Sequence, residues 1–95
     1  MEIKHDIDNQ KFSVIIDGLE SHLEYIKNNQ VLNVTHTYVP SLLRGKGIAA
    51  KLVEAIIEYA KKNDYKIIPS CSYVKVYFDR HSENKRLLYD FDLEK

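Results

Sequence analysis

The pattern of apolar residues changes at Pro40, and this change limits the folds open to the chain. Before Pro40, apolar and polar residues alternate with the period of two that is typical of half-buried β-strands. After the loop that follows Pro40, residues 47–63 repeat apolar residues every three or four positions, which indicates an amphipathic helix. Short strands followed by one long helix favour an α+β domain, with the helix packed on a sheet.

Three or four antiparallel strands are predicted before Pro40. Residues 11–17, 21–27 and 31–39 have strand-like sequences, and residues 3–7 are a poorer candidate. Asp17-Gly18 follows the first of these segments, and this dipeptide suits the positive φ angles of a type I′ hairpin turn. The sheet therefore begins as an antiparallel meander, with a second turn expected at residues 28–30.

Two main helices and one further strand are predicted after Pro40. Residues 47–63 form the first helix, residues 65–69 a short buried strand, and residues 72–81 the second helix, with Ser70 or Ser72 as its N-cap. A strand–helix–strand crossover is right-handed and joins parallel strands, so residues 31–69 predict one parallel pair. Residues 83–95 are expected to form a short helix or a tail.

Length and charge narrow the class of protein. Residues 1–95 are predicted to form a single domain, because 95 residues leave no room for a second domain of ordinary size. The 14 basic and 14 acidic residues balance, which argues against nucleic acid or an anionic membrane as a partner. We expect a cytoplasmic protein, since no signal peptide or membrane-spanning run is found, and we expect it to be a monomer. Cys71, the single cysteine, excludes an intramolecular disulfide and a Cys-rich metal site, and no metal is predicted.

The loop at residues 40–47 carries the strongest functional signal. Gly45 and Gly47 let the backbone approach a ligand closely, and Arg44 and Lys46 add two cations. The helix that follows offers unpaired N–H groups and the positive end of its dipole. Residues 41–69 also hold six basic against three acidic side chains. These features predict a phosphate or pyrophosphate site, with a helix entry that binds no ligand as the structural alternative.

Two common phosphate-binding patterns fit this loop poorly. A Walker A loop needs Ser or Thr after Gly-Lys, and Gly47 follows Lys46 instead. The dinucleotide pattern G-x-G-x-x-A is matched at Gly45, Gly47 and Ala50. That pattern also needs an acidic residue near the end of the next strand, where residues 69–71 read Pro-Ser-Cys.

A third pattern, R/Q-x-x-G-x-G/A after a strand, is met by Arg44, Gly47 and Ala49. It resembles the pyrophosphate loop of the GNAT acetyltransferases. With the neighbouring residues 36–53 and 66–75, the chain resembles the short YjdJ-type subfamily of GNAT-like acetyl-CoA-binding proteins, most closely over residues 23–75. The resemblance implies a minimal GNAT fold without the usual N-terminal helical substrate platform. It also implies that acetyl-CoA, the co-substrate, binds between splayed parallel strands.

The same resemblance implies positions for the parts of acetyl-CoA. The pyrophosphate is expected on the backbone of Arg44, Gly45, Lys46, Gly47, Ile48 and Ala49. The pantetheine arm is expected along Thr37, Tyr38 and Val39. Cys71 and His36 match the Cys and His positions of the subfamily, whereas residues 82–84 depart from its commoner Pro-Glu-Tyr.

Cys71 and His36 are the candidate catalytic residues. A helix N-terminus or a protonated His lowers the pKa of a thiol from about 8.5, and both are expected near Cys71. In an acyl relay Cys71 attacks the thioester with His36 as general base, and in direct transfer His36 deprotonates an attacking amine. The structural alternatives are a Cys buried as a small apolar residue and a His that is part of the strand framework.

The other aromatic and histidine residues receive structural interpretations. Tyr73, Tyr77 and Phe78 are interpreted as packing residues of the second helix, with contact to the cofactor as the alternative. The remaining histidines share no metal-like spacing and are assigned to the surface or to turns: His5, His22 and His81.

Three classes of function follow from these observations. The first is an enzyme that moves an acetyl group from acetyl-CoA to an amine or another small nucleophile as acyl acceptor. The second is a non-catalytic module or accessory subunit that binds acetyl-CoA or CoA without turnover. The third is a structural domain in which the glycine loop is only a turn, and the cations Arg44 and Lys46 count against it.

Overall fold

Five strands form one mixed sheet in the computed structural model, which describes residues 1–89. Their order in the sheet is the order of the chain: β1 Lys4–Asp6, β2 Lys11–Ile16, β3 Leu19–Asn28, β4 Val31–Tyr38 and β5 Lys66–Pro69. Neighbours are antiparallel from β1 to β4, and β4 pairs with β5 in parallel. Both the predicted meander and the predicted parallel pair are confirmed.

The turns of the meander use residues that tolerate positive φ. Asp17 (φ 54°) and Gly18 (φ 77°) join β2 to β3 with the dihedral signs of a type I′ turn, as predicted. Asn29 (φ 57°) also adopts a positive φ, in the connection between β3 and β4. Asn and Asp adopt this region more readily than other residues with a Cβ, so these short connections are locally favoured.

The two predicted helices are present as α1 Ile48–Asn63 and α2 Ser72–Arg80. A short 3₁₀ helix, Ser41–Leu43, precedes α1. The prediction of Ser70 or Ser72 as N-cap of α2 is wrong, because Cys71 holds that position. The Ser70 hydroxyl instead donates a hydrogen bond to Asn33 Oδ1 at 2.6 Å, which ties the end of β5 to β4.

The segment after α2 returns to the sheet. Ser82–Leu87 forms a second 3₁₀ helix, and Leu88 then makes an isolated parallel bridge to Ile67 of β5. The Tyr89 N–H donates to the Ile67 carbonyl at 2.8 Å. The helix or tail expected over residues 83–95 is thus a 3₁₀ turn as far as Leu87, and residues 90–95 lie outside the described residues.

One hydrophobic core lies between the sheet and the helices. α1 packs against β2, β3 and β4, while α2 packs against α1, β4 and β5. Its completely buried members include Leu23, Leu32, Val34, Leu52 and Ile56. Burial of side chains of this size contributes about 1.5–3 kcal/mol each, so this layer of contacts fixes the sheet on the helices.

The other face of the sheet is uncovered over residues 1–89. Ile15 and Ile26 point to this face, and their exposed fractions are 69% and 55%. Since strand residues alternate between faces, this outer face also receives every second residue of β2, β3 and β4. No helix within residues 1–89 is long and apolar enough to cross a membrane.

Candidate functional site

The loop between β4 and α1 has the backbone expected of an anion site. The chain turns through Ser41–Leu43, where buried Leu43 anchors the loop in the core. Gly45 (φ 82°) and Gly47 (φ 79°) then adopt the left-handed region. A Cβ placed on either glycine would meet no atom within 4 Å. The glycines are therefore needed for their φ angles, and the space in front of them is open.

The start of α1 is open to a ligand. Gly47 is its N-cap and provides no side-chain cap, and no acidic residue lies in the first turn. The first N–H groups of a helix have no acceptors within the helix, and they carry the positive end of its dipole. Exposed Arg44 and Lys46 flank this point, and Arg44 Nε donates to the Val39 carbonyl at 3.2 Å. This arrangement suits a phosphate or pyrophosphate.

A gap between β4 and β5 opens beside the loop. Their pairing runs from Val31–Lys66 to Val34–Pro69, and β4 continues to Tyr38 without further pairing to β5 in the part of the chain that is described. A β-bulge at Thr35 bends β4 at this point, because Val34 pairs with Tyr25 but His36 with Glu24. The backbone edge of residues 36–38 is therefore available to an extended ligand.

Cys71 lies at the floor of this gap. Its N–H donates to the Val34 carbonyl at 2.9 Å, and its Sγ is 3.5 Å from Thr37 Oγ1. Burial raises the pKa of the Cys71 thiol, but hydrogen bonds from the Thr37 hydroxyl and from the N–H groups of Val74 and Tyr73 outweigh burial and lower the pKa overall. The thiol is only partly buried, so it is accessible from the gap.

His36 lies on the opposite face of the sheet from Cys71. Thr37, which contacts Cys71, pairs with buried Leu23, whereas His36 pairs with Glu24. The His36 ring lies 5.8 Å from the ring of His22, between ring centroids, on the outer face. The structure therefore brings Thr37 to the predicted nucleophile, and it does not bring His36 there.

His22 extends the outer-face cluster, and sequence reasoning missed it. Its side chain is only 20% exposed, its Nε2 is 3.5 Å from Glu24 Oε2, and its ring is 5.6 Å from that of Tyr38, between ring centroids. The alternation of residues 20–24 already puts His22 on the same side as Glu20 and Glu24, which was the available signal.

The assignment of His5 to the surface or to a turn is wrong, because His5 lies within β1, whereas His81 lies in the connection between α2 and the second 3₁₀ helix. His5 stacks on Phe12 with centroids 3.9 Å apart, and its Nε2 is 2.6 Å from the Tyr25 hydroxyl oxygen. His81 stacks on Tyr77 at 4.0 Å. Each ring contributes to packing, and across residues 1–89 no group of three or more His, Cys, Asp or Glu residues is placed to hold a metal ion.

Most of the chain is similar in sequence to a known protein family. The family model described as GCN5-related N-acetyl-transferase matches residues 11–87. Protein NATD1 of Mus musculus is 30% identical over 81 residues, which cover 81% of this chain and 73% of that protein. Protein NATD1 of Homo sapiens is 28% identical over 81 residues, with 81% and 71% covered.

A solved structure has the same fold. It is the NMR solution structure of a Staphylococcus aureus protein described as a GCN5-like candidate N-acetyltransferase. The TM-score is 0.74 at 32% sequence identity, and the match covers 92% of this chain and 86% of the other. The similarity therefore extends over most of the chain.

Proposed function

Because the chain belongs to the GCN5-related N-acetyltransferase family, we propose that it transfers the acetyl group of acetyl-CoA to an amine or another small nucleophile. The observation that carries this proposal is the open start of α1, with two left-handed glycines and two cations, beside the gap between β4 and β5. We further place the chain with the short YjdJ-type members, acting as a cytoplasmic monomer. Its lone Cys71 suits a reducing compartment.

The proposed donor site has two parts. The pyrophosphate binds the N–H groups of residues 45–49, with the Arg44 and Lys46 side chains around it. The pantetheine arm lies along Thr37, Tyr38 and Val39, where its amides replace the strand partner that β4 lacks beyond Val34. Because Cys71 Sγ lies 3.5 Å from Thr37 Oγ1, a pantetheine arm in this position brings the acetyl thioester close to Cys71.

In the proposed relay, the Cys71 thiolate attacks the acetyl carbonyl of acetyl-CoA. A new C–S bond forms to Cys71, the C–S bond to CoA breaks, and the CoA thiolate leaves and takes up a proton. An amine then attacks the acetyl-Cys71 thioester and the C–S bond to Cys71 breaks; the amine loses one proton to water as the amide forms, and the Cys71 thiolate is released. The support for this step is the lowered pKa of Cys71, which arises from Thr37 and the start of α2 rather than from a histidine.

His36 receives a different role in this proposal. It does not activate Cys71 and takes no part in the relay; in direct transfer it serves as general base for an acceptor amine that approaches from the outer face. Glu24, its cross-strand neighbour, adds a negative charge that favours a cationic acceptor. Direct transfer from acetyl-CoA to the amine needs only this base and no acyl-enzyme.

Intact-mass spectrometry after incubation with acetyl-CoA tests the relay. Wild type should gain the mass of one acetyl group, Cys71→Ala should gain none, and Thr37→Val should gain it more slowly. CoA formation with a panel of primary amines, measured by liquid chromatography, tests turnover itself. Amine-dependent CoA formation by Cys71→Ala would contradict the relay and support direct transfer from acetyl-CoA to the amine. Binding without any CoA formation would favour the non-catalytic module.

A further inference from the structure

A groove with a volume of about 260 Å³ lies at the end of α1 that is opposite to the glycine loop. The last turn of α1, the start of β5 and the second 3₁₀ helix line it. Its apolar lining consists of Ala60 and Leu87, which are buried, and the half-buried Tyr65. The 16 residues of α1 span about 24 Å, so this groove is separate from the proposed donor site.

Three cations line this groove against one carboxylate. Lys61, Lys66 and Arg86 supply the positive charges, and Asp64 supplies the negative one. The Nζ of Lys61 is 3.9 Å from Glu58 Oε2, and the Glu58 side chain is 76% exposed, so this ion pair neutralises Lys61 only weakly. Within residues 1–89 the Arg86 side chain forms no ion pair and no hydrogen bond. The groove therefore has a net charge of two positive units.

The end of α1 does not cancel this charge. The C-terminal end of a helix dipole is equivalent to about half a negative charge. One of its last carbonyls is already paired, because the Tyr65 N–H donates to the Ala60 carbonyl at 2.8 Å. Even with the full dipole counted, the groove keeps about one and a half positive charges.

The Lys66 ammonium is held in place at the groove. Its Nζ donates to the Arg86 carbonyl at 2.8 Å, which ties β5 to the second 3₁₀ helix. An ammonium has three N–H donors, so two remain for a ligand. The guanidinium of Arg86 adds a planar pair of donors that can bind two oxygens of one phosphate at once. A positioned ammonium beside an unpaired guanidinium is a donor set suited to a phosphate group.

We propose that this groove is a second ligand site that binds a small phosphate monoester, with Arg86 and Lys66 on the phosphate oxygens and Lys61 beside them. A phosphate monoester carries a charge of about −1.5 to −2 at neutral pH, which matches the charge of the groove. The short organic part lies against the apolar lining, and Asp64 accepts a hydrogen bond from a hydroxyl group on it. The inference is independent of the proposed function, because no residue of the proposed donor site lines the groove.

NMR titration of the isotopically labelled full chain with glycerol 3-phosphate tests this inference, at an ionic strength kept constant with sodium chloride. The amide signals of residues 60–66 and 86–87 should shift together and saturate, with a Kd of about 1 mM or tighter. Signals of residues 45–49 are followed in the same spectra, because they report any phosphate bound at the glycine loop.

Two pairs of variants separate the groove from overall charge. Arg86→Gln and Lys61→Gln should each weaken binding by about fivefold or more, since each removes a charged donor from the groove. Arg86→Gln keeps the backbone carbonyl that holds Lys66. Lys85→Gln and Lys62→Gln are the matched controls, because each removes one charge beside a groove residue without lining the groove, and each should bind as wild type does. Thermal unfolding of each variant checks that it is folded.

Three results would overturn the inference and leave the proposed function standing. The first is the absence of a saturable shift in the groove signals up to about 10 mM glycerol 3-phosphate, whether or not residues 45–49 shift. The second is an equal loss of affinity in the control variants and in the groove variants, because overall charge would then account for binding. The third is equally tight binding of the dicarboxylate succinate at the groove, which would contradict the selection of a phosphate group.

Discussion

Replacement of Gly47 by Ala separates the structural need for glycine in the loop from its role in binding. Gly47 has φ 79° and Gly18, in the β2–β3 hairpin, has φ 77°, and a Cβ on either would meet nothing within 4 Å. The two positions therefore present the same backbone strain and the same free space. Only Gly47 lies at the proposed pyrophosphate site.

The loss of stability follows from the backbone alone. Placing a residue with a Cβ in the left-handed region destabilises the folded state by roughly 1–2 kcal/mol. Ala also lowers the conformational entropy of the unfolded chain, which offsets about 0.4–1 kcal/mol of that loss. Gly47→Ala and Gly18→Ala should each lose about 1 kcal/mol in the free energy of unfolding. For a domain of this size that lowers Tm by about 4–8 °C, and both variants stay folded at 25 °C.

Affinity for acetyl-CoA should distinguish the two variants. In Gly47→Ala the new Cβ and the shifted N–H groups disturb contacts to a charged phosphate, each worth about 1.5–3 kcal/mol, so the affinity should fall about tenfold or more. Gly18→Ala should bind as wild type does. Calorimetric titration beside thermal unfolding measures both quantities. Equal affinity in the two variants at equal loss of stability would refute the role of the loop.

Three further predictions concern single side chains. Arg44→Glu should weaken acetyl-CoA binding by about 1–3 kcal/mol in a calorimetric titration, whereas Lys62→Glu should not; equal effects would mean that only overall charge matters. Thr37→Val should raise the pKa of the Cys71 thiol and slow its alkylation by iodoacetamide at neutral pH, and an unchanged pH–rate profile would contradict the hydrogen bond. Burial lowers the pKa of His5 below 6.5, so the folded state takes up this proton less readily than the unfolded state. The stability that neutral His5 contributes is therefore fully present above about pH 6.5 and is lost as the pH falls through the pKa of the folded state. Urea unfolding of wild type and His5→Phe at about pH 8 and about pH 5 measures this effect. The free energy of unfolding should fall less between the two pH values in His5→Phe than in wild type.

Local signals in the sequence were enough for most of the fold. Asp17-Gly18 specifies its turn through backbone preferences of its own two residues, and the 3.6-residue period of residues 48–60 specifies which side of α1 is buried. The glycine loop was also readable, because its φ angles depend on glycine itself. These features need no information about distant contacts.

The face on which His36 lies could not be read in the same way. Alternation from Leu32 and Val34 predicts that His36 points into the core, toward Cys71. The β-bulge at Thr35 adds one residue to β4 and exchanges the faces of all residues after it, so Thr37 turns inward and His36 outward. The bulge depends on pairing with β3, which no local pattern reveals. For this reason Thr37, and not His36, contacts Cys71.

Titration of acetyl-CoA into the isotopically labelled chain, followed by NMR, tests the central claim most directly. The amide signals of residues 45–49 and of Thr37 should shift together and saturate, while those of the Asp17-Gly18 turn, which lies outside the proposed site, should stay in place. Absence of any shift in residues 45–49 at about 1 mM acetyl-CoA, the upper end of ordinary KM values, would contradict the account.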